Sequence, residues 1–195
     1  VVRADIEHAL ARINRFSGHT AEPYSVATHS RLVADILELW GCPPAIVREG
    51  LLHDAPEAYY GDTVSPVAAA MRAASNGAVT ALPDVLRARQ EGECTAARDA
   101  AWYALTRPLH DLHERIDRVV RAALALPEIE AGIVKRADLV ALAIERRDLF
   151  GQPEHDWQLP EYADTRLRVR EEYSDAHNRF AERWRELDEA CGVSR

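Results

Sequence analysis

From Ser25 to Trp40, apolar side chains recur at intervals of three and four through Val26, Val33, Ile36 and Trp40, and His29 fills the gap in that stripe. This is the period of a helix with one face turned to a core, so His29 is predicted to point inward. Ser25 stands where a cap is expected, and Gly41 with Pro43-Pro44 ends the pattern. Comparable stripes predict helices over Asp5–Phe16, Pro44–Tyr59, Leu109–Leu126, Glu128–Phe150 and Tyr162–Ala190. Only 9 Gly and 10 Pro occur among 195 residues, a balance that favours helix. The predicted architecture is all-α, a single-domain helical bundle over 1–195. It carries a weakly patterned insertion at about 71–107 and a C-terminal helix at about 162–190.

The formal net charge is −8 and no long basic run is present, which argues against duplex nucleic acid as a partner. A nucleotide is still compatible with that charge, since a metal and a few local cations can hold phosphate. The three cysteines, Cys42, Cys94 and Cys191, form no C-x-x-C pair and fit a reducing cytoplasm. No stretch reaches membrane-spanning length, and the first residues read as neither a signal nor a transit peptide. A homodimer is expected, as is common for small helical domains.

His-Asp occurs three times, at 53–54, 110–111 and 155–156, so the dipeptide alone carries little. Only His53-Asp54 lies within an otherwise apolar helical run, Gly50-Leu51-Leu52-His53-Asp54-Ala55. A buried imidazole beside a buried carboxylate is costly unless something pairs with both, and a divalent cation does so. Asp138 sits in a second apolar stretch, between Ala137 and Leu139. His29, His53, Asp54 and Asp138 would supply four N/O ligands from three helices to one divalent ion such as Mn, Co or Zn. No Cys is needed, unlike most closed structural zinc sites. Glu57, one turn past His53, is expected to hold the attacking water, and Asp62, in the loop that follows, to transfer a proton.

These residues resemble the H…HD…D signature of the HD-domain phosphohydrolases. Further motifs resemble the 5′-deoxynucleotidase branch: Ile13-Asn14-Arg15-Phe16-Ser17-Gly18-His19, Tyr24 to Ser30, Leu52 to Tyr59, Gly61-Asp62, Ser65-Pro66 and Ala137-Asp138-Leu139. Glu145-Arg146-Arg147-Asp148-Leu149 is similar to a prophage-type subgroup of it. The resemblance covers about residues 5–70 and 110–150. It implies an HD-type bundle, one divalent metal, Glu57 and Asp62 as catalytic carboxylates and Arg15 as a phosphate contact. Phe16 stands where the branch has a Trp against the substrate. Ala68, Ala69 and Ala70 occupy a region where a Lys often stands, which shifts phosphate binding to Arg15 with Lys135 or Arg72.

The implied reaction is hydrolysis of the 5′-phosphate ester of a (deoxy)ribonucleoside monophosphate. Its alternatives are a dNTP triphosphohydrolase, a cyclic-nucleotide phosphodiesterase and a non-catalytic nucleotide-binding module. Plainer readings compete residue by residue. Asp148 is an alternative to Asp138, Glu57 could pair with Arg48, Asp62 could be a turn residue, and Arg15 a solvated helix end. His110, His113 and Asp117 read as a solvated helix face rather than a second metal site.

Overall fold

The computed structural model describes residues 1–62, 111–150, 167–169 and 175–193. The chain separates into two compact units, Val1–Asp62 with Arg118–Arg195 and Thr63–Asp117. Nearly all described residues belong to the first unit. The segment expected as an insertion, 71–107, lies outside them, as does the beginning of the expected C-terminal helix. The fold is all-α, and the described helices are α1 (Arg3–Leu10), α2 (Val26–Leu39), α3 (Pro44–Leu51), α4 (Glu57–Tyr60), α5 (111–123), α6 (Gly132–Phe150) and α7 (Ala176–Cys191). Among the described residues, no helix is long and apolar enough to cross a membrane.

The second helix is central and packs on α3, α6 and α7. Ser25 caps it, accepting the Thr28 N–H at 3.2 Å. Val26, His29, Val33 and Ile36 are all fully buried, as their spacing predicts. Each buried aliphatic in that stripe contributes about 1.5–3 kcal/mol, enough together to carry one imidazole into the core. Trp40 departs from the expected stripe and is 38% exposed. It is the cap residue of α2, and Gly41 at φ 73° turns the chain away before the stripe can continue.

Several predicted helices are shorter than expected. The first stops at Leu10, and residues 15–18 form a separate 3-10 turn in which Phe16 and Ser17 are left-handed. The cause is a short antiparallel bridge between Asn14 and Ser25. Arg15 N–H donates to Tyr24 O at 2.8 Å, and Val26 N–H to Ile13 O at 3.0 Å. The helix expected over Pro44–Tyr59 is broken into α3 and α4. Pro56 has no N–H to donate to Leu52 O, so the chain tightens into three-residue steps between Leu52 and Ala58.

Buried charges tie the helices together. Asp188 on α7 accepts from Arg48 Nε at 2.6 Å and from Arg3 at 2.8 Å, linking α1, α3 and α7. Glu49 Oε1 accepts from Arg121 at 2.6 Å and from the Ala131 N–H at 3.0 Å. That last bond caps the start of α6, which begins at Gly132 rather than at the expected Glu128.

Candidate metal centre

The break between α3 and α4 decides the geometry of the site. On a continuous helix, consecutive residues diverge by about 100°, and His53 and Asp54 would face different neighbours. In the turn that replaces it, both side chains face α2 and α6. His53 is fixed by its Nδ1, 2.8 Å from Gly50 O, which leaves Nε2 directed into the site. His29 Nε2 lies 3.2 Å from Asp138 Oδ1 and 3.5 Å from Asp54 Oδ2. His53 Nε2 lies 3.2 Å from Asp54 Oδ1 and 3.9 Å from Asp138 Oδ1. Ligand atoms of His29, His53 and Asp138 all fall within 4.8 Å of one another. Asp54 lies beside these three and turns a different oxygen to each imidazole.

Neither Nε2 makes a hydrogen bond, although both are buried. The carboxylates are near enough in distance but not aligned with an N–H direction. Two orphaned imidazole nitrogens facing two carboxylates are the donor set a first-row divalent cation takes, so these residues fit such an ion. Burial and Arg15 oppose charge on His29, yet Glu145 and Asp138 at its two nitrogens outweigh them and lift its pKa to about 10. Burial works against an ionised Asp138, but His29, His53 and Lys135 hold its carboxylate well below the ordinary range.

The structure brings the other expected residues to the rim of this cluster. Arg15 is mostly buried, with NH1 3.4 Å from Asp54 Oδ2 and NH2 3.6 Å from Glu145 Oε2. It is therefore not a solvated helix end. Glu57 is half-buried with Oε2 unpartnered, and Arg48 is engaged by Asp188 instead. Burial, with Asp54 and Asp62 nearby, lifts the Glu57 carboxyl to about 9 against the pull of Arg15 and His29. Burial also raises Asp62, opposed by Arg15 and by the Phe16 N–H. Lys135 is mostly exposed but reaches Asp138 Oδ2 at 2.7 Å. The Phe16 ring meets the Phe150 ring edge-on, centroids 5.0 Å apart, and lies 5.4 Å from the Arg15 guanidinium. Asp148 lies outside the cluster, paired with Arg147. His110 and residues 63–72 fall outside the described residues.

Sequence reasoning missed Glu145 and Tyr24 as parts of the site. Glu145 lies two turns beyond Asp138 and follows the apolar run Ala141-Leu142-Ala143-Ile144. A carboxylate at that spacing on the same face was the available signal. Tyr24 gave no local signal, because its role comes from the bridge at Ser25.

No family model matches the chain. It is 33% identical over 149 residues to the uncharacterized protein YfdR of Escherichia coli K12, a match covering 76% of this chain and 61% of YfdR. Over 73 residues it is 42% identical to an uncharacterized protein of Rhodobacter capsulatus, covering 34% of this chain and 36% of that protein. The chain thus spans less than two thirds of the length of either relative.

Proposed function

We propose that this chain is a divalent-metal-dependent phosphohydrolase of the HD-domain kind, cleaving the 5′-phosphate ester of nucleoside monophosphates in the cytoplasm. The observation that carries the reading is the meeting of His29, His53 and Asp138, with two buried and unpartnered Nε2 atoms. The motif resemblance supports the choice of phosphate ester over other metal-assisted hydrolyses. His29, His53, Asp54 and Asp138 would hold the ion, which supplies Lewis acidity and lowers the pKa of water.

The remaining groups divide the work around the phosphate. Arg15, and Lys135 from the opposite side of Asp138, neutralise phosphate oxygens. Water oxygen bonds to phosphorus as the bond from phosphorus to the 5′-oxygen breaks. Glu57 keeps its proton at neutral pH in the metal-free protein, so it suits donation to the departing 5′-oxygen. Asp62, beside the Phe16 N–H, suits orienting the water and taking its proton. This exchanges the two roles expected from spacing alone.

The test is a panel of nucleoside mono-, di- and triphosphates with Mn²⁺, Co²⁺ or Zn²⁺, run on wild type and Asp54→Ala. Inorganic phosphate from the monophosphates, lost in Asp54→Ala, is expected. Tripolyphosphate from dNTPs would move the reading to a triphosphohydrolase. No release from any substrate would overturn it in favour of a binding module.

A further inference from the structure

We infer that Glu145 is a positioning residue that commits His29 to present Nε2, and not Nδ1, to the cation; the inference rests on the metal site proposed above. Glu145 is fully buried on α6, on the far side of His29 from Asp54 and Asp138. Its Oε1 lies 2.5 Å from His29 Nδ1 and accepts the Tyr24 hydroxyl at 2.8 Å. Its Oε2 faces Arg15 NH2 at 3.6 Å.

An imidazole presents a lone pair to a metal from one nitrogen only, and the other nitrogen's partner selects which. A carboxylate against Nδ1 admits only an N–H there, because two acceptors in contact repel. His29 Nε2 is then the nitrogen left for the cation. The Gly50 carbonyl does the same for His53. The two selectors differ in what holds them. Gly50 O is part of α3 and needs no support. Glu145 is a buried charge that depends on Tyr24 and Arg15 as well as on His29 itself. Arg15 also touches Asp54, so one cation is shared between a ligand and the residue that aims another ligand. Among the described residues the Tyr24 hydroxyl bonds to Glu145 and to no other group, and Tyr24 is itself 3% exposed. The arrangement is a chain from the Tyr24 hydroxyl through Glu145 to His29, ending at Nε2.

The test uses the full-length protein and Zn²⁺ alone. Affinity is read by competition with a chromophoric chelator, and the His29 ring by ¹⁵N NMR of the zinc-loaded protein. Glu145→Gln keeps the shape and removes the charge. It is expected to weaken zinc binding by about 10–100-fold and to abolish the downfield Nδ1–H signal of His29. Tyr24→Phe removes one bond to Glu145 and is expected to weaken binding by roughly two- to fivefold, with a shift of the same signal. If Glu145→Gln does not fold, Tyr24→Phe decides alone. Unchanged affinity and an unchanged Nδ1–H signal in the folded variants would overturn the positioning role and leave the metal site standing. A wild type that binds no zinc would instead overturn the metal site itself.

Discussion

His29 Nε2 and Asp138 Oδ1 stand 3.2 Å apart, although 109 positions separate them in the chain and they belong to α2 and α6. Replacing Asp138 by Asn is expected to lower zinc affinity by about 100-fold or more, at or beyond the upper end of what losing an outer partner costs. The fold should survive, because Asp138 is reached by solvent and by Lys135. Chelator competition reads the affinity and circular dichroism the fold. An affinity within a factor of three of wild type would remove Asp138 from the ligand set.

Metal binding should be coupled to pH through His29. Its pKa is raised from 6.5 to about 10, so the metal-free protein keeps on Nε2 a proton that a cation must displace. Apparent affinity is therefore expected to rise about tenfold per pH unit below that pKa. Calorimetry near pH 7 in buffers of different ionisation enthalpy should show about one proton released per ion bound. No buffer dependence would contradict the protonated state.

The same shifts fix the direction of stability in the metal-free protein. Glu57, raised from 4.5 to about 9, and His29, raised from 6.5 to about 10, both favour the protonated form in the folded state. Their contribution is full below the ordinary values and is lost as pH rises through about 9 and 10. The melting temperature of the metal-free form should fall between pH 6.5 and pH 10, and saturating zinc should flatten the fall. A metal-free melting temperature that climbs over that interval would contradict both assignments.

Gly50 lies where α3 packs closely against the Leu37 and Val33 side chains of α2. A Cβ at this position would stand 2.2 Å from Leu37 Cδ1 and 3.4 Å from Val33 Cγ1. Alanine in a helix interior gains about 1 kcal/mol over glycine, whereas overpacking a filled core costs about 1–3 kcal/mol. Leu37 is fully buried and has little room to yield, so Gly50→Ala is expected to be destabilising by about 1 kcal/mol on balance. Because Gly50 O also holds His53, zinc affinity should fall with stability. Urea melts and zinc titration of the same variant check both.

Asp188 offers the complementary case, a buried charge away from the metal centre. Asp188→Asn leaves Arg48 and Arg3 with weaker partners, and breaking such a pair costs about 3 kcal/mol. Zinc affinity measured below the lowered melting temperature should match wild type. A parallel loss of affinity would mean that the site and the α1–α3–α7 junction are not independent.

The legible parts of this site are those where a polar residue contradicts an apolar period. His29 stands out because Val26 and Val33, one turn to either side, are buried and aliphatic, and Asp138 because Val134 and Ala141 are. The illegible parts depend on events that periodicity does not encode. A helical reading of Pro44–Tyr59 places His53 and Glu57 on one face and Asp54 beside it, yet Pro56 interrupts the ladder and lets His53 and Asp54 converge. Pro56 was visible, but its consequence depends on which carbonyl goes unpaired. Tyr24 and Arg15 reach Glu145 through a two-residue bridge, and nothing in either residue's neighbourhood announces a partner 121 or 130 positions away.

The bridge between Asn14 and Ser25 has one more consequence. It pinches the chain at its neck, so that Arg15 and Tyr24 emerge side by side whatever the intervening chain does. Residues 17–19 and 21–23 all lie exposed beyond that neck. The length and composition of this outer arc are thereby uncoupled from the aim of the two side chains at its base, which makes it the part of the molecule where relatives are free to diverge without disturbing the ion's surroundings.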